Sequence, residues 1–266
     1  MSDPVVLTSA AGGVLTITMN RPKALNALNR ELTLALRDAV FAAEQDGAVR
    51  CVVIRGGEHF MAGGDLKYFD ENLKSMPMGK LKTQFEIFIH DVHAMIISLR
   101  RMPKPVLASV SGAAAGFGLS LVMACDLAIA ADTSYFTLAY SAIGVSPDGG
   151  STFALPRLVG LKKAAEIALL AERFDAATAE HLGLINKVVP AAELEAATAK
   201  LAARLASGPT AVYGRTKALL QRSLDHSLES QLQREAEAFA QSASEPDFAE
   251  GIRAFIEKRK PTFKGN

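Results

Sequence analysis

KPVLASVSGAAAGFGLSLVMACDLAIAA, residues 104–131, is the stretch of this sequence that decides the fold. Its two apolar runs, Pro105–Val110 and Leu127–Ala131, each predict a buried strand. Between them lie a turn of small residues (Ser111–Gly118) and a helix over about Leu119–Ala124. Strands and helices that alternate in this way predict an α/β fold with mostly right-handed crossovers and a sheet covered by helices.

The turn has an unusual composition, since six of the eight residues from Gly112 to Leu119 are glycine or alanine. Without bulky side chains, a ligand can approach the backbone itself. The N–H groups of Gly116, Phe117 and Gly118 fall where a helix begins, so they are unpaired and lie at the positive end of the helix dipole. Such groups can stabilise a developing oxyanion. The alternative is a tight turn whose glycines serve only close packing.

A second glycine-rich loop, FMAGGDLKYF at residues 60–69, has the same form. Its glycines precede a predicted helix start, and Asp65 is placed to cap that helix. An oxyanion hole at the first turn needs a second donor and a base from elsewhere in the chain. This loop is therefore the candidate for the second donor.

Strands and helices alternate through the first two thirds of the chain, and only helices follow. The predicted elements are strands at Val14–Met19, Cys51–Ile54 and Leu184–Val189, helices at about Arg30–Gln45, from Phe85 to before Pro103, at Arg157–Ala171 and Ala176–Gly183, a flexible loop at Met76–Lys80, and C-terminal helices at about Ala191–Ala206, Pro209–Gln221, Leu228–Gln241 and Asp247–Lys258. This change predicts a core over residues 1–190 and a helical region over residues 191–266. We expect the C-terminal helices to pack on a neighbour, within the chain or across subunits.

Composition argues against several classes of function. The 266 residues are 49% hydrophobic, and 29 basic against 28 acidic residues leave a net charge of +1, which gives no electrostatic basis for binding nucleic acid or a membrane surface. No apolar run reaches the about 18 residues of a membrane span, and the first residues lack the pattern of a secretory signal. Cys51 and Cys125 lie in apolar runs, so we expect a reducing compartment, no disulfide and a cytoplasmic location.

One acidic residue near the first stretch differs from its neighbours. Asp126 and Asp132 flank the second apolar strand, which predicts structural caps or surface acids. Asp148 lies in AYSAIGVSPDGGSTF, residues 139–153, with apolar residues on either side. An apolar setting would raise its pKa and strengthen it as a base. The alternative is a type I turn with Pro147 at its second position.

Several motifs, in this order, resemble the enoyl-CoA hydratase/isomerase (crotonase) superfamily over nearly the whole chain. They are NRPKALNAL (20–28), FMAGGDLK (60–67), KPVLASVSGAAAGFG (104–118), ACDLAIA (124–130), PDGGSTFALPRLVG (147–160), AEHLGLINKVV (179–189) and EGIRAFIEKRKPTF (250–263). The resemblance implies a crotonase-type spiral of ββα turns followed by a helical C-terminal trimerisation region, and hence a homotrimer or a dimer of trimers. It also implies an acyl-CoA thioester substrate whose enolate is held by two backbone N–H groups, here those of Gly64 and Phe117.

Recognition of coenzyme A is implied by the same resemblance. The residues at the matching positions are Lys23, Ala24, Leu25, Ala62, Asp65, Leu66, Phe255 and Lys258. Each of the two lysines can bind a phosphate group through its positive charge. The alternative for each is a solvated surface lysine. Coenzyme A is then part of the substrate, and we expect neither a separate cofactor nor a metal.

The choice of reaction depends on the acids. Family hydratases place glutamates at the positions that Ser120 and Tyr140 occupy here, and both glutamates are missing. Asp148 falls where isomerases of the 1,2-epoxyphenylacetyl-CoA and enoyl-CoA type place their aspartate. One carboxylate suffices for a 1,3-proton shift. The resemblance therefore favours an acyl-CoA isomerase that moves a double bond or rearranges a ring epoxide, with Asp148 as its proton shuttle.

Other functions stay open. One is an enoyl-CoA hydratase, or another acyl-CoA enzyme of the same fold, with relocated acids; another is a catalytically silent CoA-binding scaffold. A dehalogenase branch combines an aspartate near Asp148 with a histidine that His93 could match. That branch relies on a tryptophan at the position of Tyr140, and the chain contains no tryptophan. The plain alternative for His90 and His93 is a polar or half-buried helix face.

Overall fold

Two sheets form the framework of the protein in this computed structural model, which describes residues 3–266. The strands are β1 (Val6–Ala11), β2 (Val14–Met19), β3 (Cys51–Arg55), β4 (Val106–Val110), β5 (Ala113–Ala115), β6 (Leu127–Ala131), β7 (Tyr135–Thr137), β8 (Phe174–Asp175) and β9 (Lys187–Val189). The larger sheet has the strand order β1-β2-β3-β4-β6-β9, and the smaller one has the order β5-β7-β8. Only the β1–β2 and β7–β8 pairs of the described chain are antiparallel.

The helices follow the strands in alternation and then continue alone. They are α1 (Arg30–Gln45), α2 (Leu66–Ser75), α3 (Met78–Arg101), α4 (Phe117–Ala124), α5 (Ser151–Leu170), α6 (Ala176–His181), α7 (Leu194–Ala206), α8 (Thr210–Arg222), α9 (Leu228–Ala243) and α10 (Pro246–Ile256). The predicted α/β class is confirmed. Among the helices of residues 3–266, none combines the length and the apolar character that crossing a membrane requires.

The central strands of the larger sheet are buried on both faces because they alternate side chains between two apolar clusters. Val52 and Ile54 of β3 face the main core, which α1 and α3 cover. Cys51 and Val53 of the same strand face a second cluster that includes Ala202 of α7. Burial raises the pKa of the Cys51 thiol to about 12, so this thiol is an unreactive packing group.

A buried ion pair fastens α8 to the core of the same chain. The Lys217 ammonium donates to the Leu99 carbonyl (2.7 Å) and the Lys104 carbonyl (3.2 Å), and it lies 2.7 Å from the Asp126 carboxylate. Asp126 also accepts a hydrogen bond from the Val106 N–H at the start of β4 (2.8 Å). Burial raises the pKa of Asp126, and the Lys217 charge opposes that rise. The structural role predicted for Asp126 is confirmed.

Some predicted boundaries are wrong. The expected flexible loop at Met76–Lys80 is mostly helix, because α3 begins at Met78, directly after Pro77. The strand predicted from Leu184 is confined to Lys187–Val189. Helix α5 begins before its predicted start at Arg157, and it bends at Gly160, whose φ of +76° is not helical.

Candidate active site

The two glycine-rich loops lie side by side and are joined by main-chain hydrogen bonds. We call them the donor loops, residues 60–66 and 113–118. The Met61 N–H donates to the Ala113 carbonyl (2.9 Å), and the Ala115 N–H donates to the Met61 carbonyl (2.9 Å). The loops are distant in sequence, and this short parallel bridge fixes their relative position.

Glycine is required where the donor loops touch. Gly63 has a φ of +92°, and a Cβ there would lie 3.2 Å from the Ala115 carbonyl oxygen. Gly116 has a φ of +51°, and a Cβ there would lie 3.5 Å from the Gly63 Cα. At Gly118, an added Cβ would overlap the Met61 carbonyl oxygen. The close-packing role of these glycines is therefore confirmed, and it brings the two predicted donors onto adjoining loops.

Both predicted donor groups are available for a ligand. Phe117 is the first residue of α4, so its N–H has no partner within the helix. Gly64 lies beside Leu28, whose N–H donates to the Gly63 carbonyl (2.7 Å) and whose carbonyl accepts from Asp65 (3.0 Å). Within residues 3–266, neither the Gly64 N–H nor the Phe117 N–H donates to another protein group. The Phe117 ring itself is buried and lies beside Gly149.

The first donor loop is also fixed to the loop that carries Lys23. The Asp65 carboxylate caps α2 by accepting from the Lys67 and Tyr68 N–H groups, and it pairs with Arg21 at 2.9 Å. Burial opposes its ionisation, but the Arg21 hydrogen bond and the capping N–H groups lower the pKa of Asp65 below its usual range. The predicted cap is thus confirmed.

Six of the eight predicted coenzyme A residues belong to these two neighbouring segments: Lys23, Ala24, Leu25, Ala62, Asp65 and Leu66. The Ala62 N–H donates to the Leu25 carbonyl at 3.0 Å, which joins the segments directly. Leu25 and Leu66 are exposed apolar side chains at this edge, and Lys23 is exposed beside them. The segments therefore present a contiguous surface with an apolar and a basic part.

The other two predicted residues, Phe255 and Lys258, lie at the end of α10 and beyond it. Both are exposed, and Phe255 borders an apolar cavity of about 650 Å³ between α8, α9, α10 and the C-terminal tail. No hydrogen bond in the described chain joins Phe255 or Lys258 to the donor loops. Their part in a common site stays a prediction.

Asp148 lies in a group of residues packed against the first turns of α4, which we call the acid corner: Ser120, Tyr140, Asp148 and Gly149. The Tyr140 hydroxyl donates to the Asp148 Oδ1, and the Ser120 and Tyr140 hydroxyl oxygens are 3.1 Å apart. A Cβ at Gly149 would lie 2.7 Å from the Phe117 ring and 2.9 Å from the Ser120 Cβ. The acid corner therefore packs directly on the first turns of α4, whose N-terminus is a candidate donor.

The electrostatics of the acid corner favour a basic carboxylate. Burial raises the pKa of Asp148; the hydrogen bond from Tyr140 and the charge of a protonated His93 lower it by less. Neutral His93 can instead accept a hydrogen bond from the Gly149 N–H at 3.4 Å. Burial, and then the negative charge of Asp148, raise the pKa of Tyr140. Tyr140 therefore stays protonated and serves as a donor.

The turn predicted around Pro147 is wrong. The turn residues are Gly149 and Gly150, both with positive φ. The Asp148 carbonyl accepts from the Ser151 N–H at 3.2 Å and from the Ser151 hydroxyl at 2.9 Å. The chain therefore turns after Asp148 rather than at it, and the turn leads into α5.

Sequence reasoning missed the roles of Tyr140 and Ser120, which it noted only as positions without glutamate. No motif marked them, because they come from separate segments and meet only in the fold. The position of His93 on α3, facing Gly149, was also unmarked by any local pattern.

The fold and the site first define a class of protein: an α/β enzyme whose candidate active site joins two main-chain donor loops to one half-buried carboxylate. The family follows from comparison with known proteins. The sequence model of the family described as enoyl-CoA hydratase/isomerase matches residues 9–266, and the chain belongs to this family.

Individual relatives agree over the full length. The 1,2-epoxyphenylacetyl-CoA isomerase of Escherichia coli (strain K12) is 35% identical over 262 residues, which cover 98% of each chain. A protein described as a probable enoyl-CoA hydratase, from Rhodobacter capsulatus, is 36% identical over 269 residues and 100% of each chain. The crystal structure of an enoyl-CoA hydratase from Polaromonas sp. JS666 matches with a TM-score of 0.90 and 35% identity, over 97% of this chain and 99% of that chain. The crotonase-type fold is confirmed.

Proposed function

We propose that the protein is an acyl-CoA isomerase that moves a double bond through a thioester enolate. In this reaction Asp148 removes a proton from C2 of a 3-enoyl-CoA, and the electron pair delocalises over the thioester oxygen and C4. The same carboxyl group then returns the proton to C4, which gives the 2-enoyl-CoA. The observation that carries the proposal is the position of Asp148, a half-buried carboxylate packed through Gly149 on the Phe117 ring and Ser120 at the start of α4.

The donor loops supply the other half of this reaction. The N–H groups of Gly64 and Phe117 would hold the enolate oxygen, and the dipole of α4 adds positive potential there. A cluster of aromatic rings lies next to Gly64, because the Phe69 ring fills the space of its missing Cβ. Phe69 contacts Phe85 edge-on, with ring centroids 5.3 Å apart. This apolar wall suits an acyl chain or a ring.

Coenzyme A would lie along the surface from Lys23 to Leu66, and Phe255 and Lys258 would contribute from α10 by resemblance. It would be part of the substrate, and no separate cofactor is proposed. A ring-epoxide acyl-CoA is a second substrate class for the same shuttle, supported by the name of the Escherichia coli relative. By resemblance we also expect a homotrimer or dimer of trimers, in the cytoplasm, that acts in fatty acid metabolism.

Hydration of a 2-enoyl-CoA is the alternative reaction, because the Rhodobacter capsulatus relative is described as a probable enoyl-CoA hydratase. The family hydratases use two glutamates to orient and activate water. At those positions this chain has the Ser120 and Tyr140 hydroxyls, and they bind each other and Asp148. Both hydroxyl groups stay protonated at neutral pH, so neither can replace a glutamate as the base that activates water. One carboxylate therefore supports proton transfer better than addition of water.

The deciding experiment is a turnover assay with 3-enoyl-CoA and 2-enoyl-CoA side by side, on wild type and on Asp148→Asn. Conversion of the 3-enoyl substrate by wild type and not by the variant supports the isomerase. Addition of water to the 2-enoyl substrate at an equal rate in both proteins overturns it.

A catalytically silent CoA-binding scaffold is the rival from another class. The scaffold can be distinguished from an enzyme by incubating the wild-type protein with a saturated acyl-CoA in deuterated water. Exchange of the C2 protons requires a working base and a stabilised enolate. Binding of the acyl-CoA without any exchange, together with no turnover, would favour the scaffold.

A further inference from the structure

A chain of three hydrogen-bonding groups runs through the acid corner, and its proton positions can be assigned. Tyr140 carries one hydroxyl proton, which it donates to the Asp148 Oδ1. In the 3.1 Å contact between the two hydroxyl oxygens, Tyr140 has no second proton to give, so Ser120 is the donor and Tyr140 the acceptor. The Gly116 carbonyl, at 3.4 Å from the Ser120 hydroxyl, is the longer alternative acceptor for the same proton. Both hydroxyl groups belong to buried residues, 1% exposed for Ser120 and 8% for Tyr140. The chain thus runs in one direction, from Ser120 to Asp148, and each bond polarises the next.

We propose that Tyr140, supported by Ser120, is a positioning residue that fixes which oxygen of Asp148 exchanges protons with the substrate. The inference rests on the proposed function, and it names a residue that acts through Asp148. Oδ1 is occupied by the Tyr140 hydroxyl, while Oδ2 accepts no hydrogen bond from residues 3–266. Oδ2 is therefore the oxygen left to take the proton from C2 and return it to C4.

The second effect of Tyr140 is on the charge of Asp148. A hydrogen bond to a carboxylate favours its ionised form, which offsets part of the burial that disfavours it. The other groups that face Asp148 are His93 from α3, which favours ionisation of Asp148 when the imidazole is protonated, and the uncharged Ser120 from α4. Loss of the Tyr140 hydroxyl should therefore make Asp148 harder to ionise and leave its carboxyl free to rotate.

The test is Tyr140→Phe, which keeps the buried ring and removes only the hydroxyl. The Asp148 carboxyl is followed by ¹³C NMR of aspartate-labelled protein, with its signal assigned by loss in Asp148→Asn. We expect the midpoint of its titration to rise by about one pH unit, a tenfold change in proton affinity. Ser120→Ala should shift it in the same direction by less. Tyr135→Phe is the matched control, because the Tyr135 hydroxyl has no hydrogen bond in the described chain.

Kinetics give a readout that a purely structural role would not move. In Tyr140→Phe the acid limb of the kcat/KM profile should move upward with the NMR midpoint, and kcat should fall about tenfold at the optimum while KM changes little. An unchanged Asp148 titration in a folded Tyr140→Phe protein overturns the inference, whether or not the enzyme is an isomerase. A shifted titration in a protein without isomerase activity would instead support the positioning role and reject the proposed reaction.

Discussion

The two halves of the candidate site use different groups: the donor loops use main-chain atoms, and the acid corner uses side chains. In the donor loops, Met61 is joined to Ala113 and Ala115 by main-chain hydrogen bonds, and the candidate donors of Gly64 and Phe117 are also main-chain groups. Side chains matter there mainly by being absent. Outside the glycine positions where the loops touch, a side chain is compatible with a main-chain donor, as the buried phenylalanine at position 117 illustrates.

The acid corner follows the opposite rule. The contacts that orient the Asp148 carboxyl come from the side chains of Tyr140 and, behind it, Ser120. Replacement of one functional group there is therefore expected to change the chemistry without changing the fold. The comparison predicts that the two tasks of the proposed reaction, holding an enolate and moving its proton, are separable. Substitutions can test each task alone.

The largest effect is expected from Asp148→Asn, which removes the base and leaves the donor loops intact. Asparagine has nearly the same shape and can still accept the Tyr140 hydrogen bond, but it cannot take up a proton. We expect kcat for 3-enoyl-CoA to fall by about 10²–10⁴-fold. Affinity for a saturated acyl-CoA, measured by calorimetric titration, should stay close to that of wild type. Asp38→Asn, at an exposed carboxylate on α1, is the control and should keep full activity.

The stability of Asp148→Asn shows whether its loss of activity comes from loss of the base or from damage to the fold. Burial raises the folded-state pKa of Asp148 above its unfolded value. Its contribution to stability is therefore full below the unfolded pKa and is lost as pH rises through the folded pKa. At pH 7, Asp148→Asn should be at least as stable as wild type in denaturant unfolding. A variant that loses activity and stability together would contradict the assignment of Asp148 as a base.

Gly118→Ala tests the other half of the site. Alanine in a helix normally stabilises by up to about 1 kcal/mol relative to glycine. At Gly118, however, the new methyl group would overlap the Met61 carbonyl oxygen and push the donor loops apart. We expect kcat to fall about 10²-fold, and the free energy of unfolding to fall by about 1–3 kcal/mol. Both are measured on the same preparation, by steady-state rates and denaturant unfolding.

Gly57→Ala is the matched control, because a Cβ there would have no atom within 4 Å. It should change neither kcat nor stability appreciably. Full activity in Gly118→Ala would show that the spacing of the donor loops does not limit the reaction, and the contrast between the two halves would then fail.

Sequence patterns predicted the parts of the fold that are long and periodic. Helix α1 matches its predicted bounds, since its apolar positions recur over several turns. Strands β5 and β7 were not predicted because each has three residues, too few to show alternation. Strand β1 is exposed at five of its six residues and shows no polar–apolar alternation, so its pairing with β2 carried no sequence signal.

The candidate site divides in the same way. The donor loops could be predicted because glycines before a helix start are a local signal, and the Asp65 cap is confirmed. The contact between Tyr140 and Asp148 could not, since it depends on how the chain turns back through a short 3₁₀ helix and a left-handed Gly144. His93 reaches Gly149 only because α3 packs beside α4. Contacts of this kind are set by tertiary packing.

The pH dependence of kcat/KM is expected to report the acid corner alone. In the proposed reaction the active form of Asp148 is ionised, and burial raises its pKa above that of an ordinary aspartate, despite opposition from Tyr140 and His93. Activity should therefore fall as pH is lowered through this raised pKa, by about tenfold per pH unit below it. Circular dichroism at each pH verifies that the protein is folded. An acid limb at or below the ordinary aspartate range would contradict burial as the dominant influence.

Lys23→Ala should have the smallest effect and acts outside both halves. Lys23 is exposed near Leu25, whose carbonyl ties this segment to Ala62 of the donor loops. An exposed ion pair with a phosphate is worth about 0.2–1 kcal/mol, so KM should rise about 1.4- to 5-fold at low salt with kcat unchanged. Because salt screens exposed charges, the difference from wild type should shrink as ionic strength rises. Lys200→Ala, at an exposed lysine on α7, should leave KM unchanged. Equal KM values for Lys23→Ala and wild type at low salt would make Lys23 a solvated surface residue.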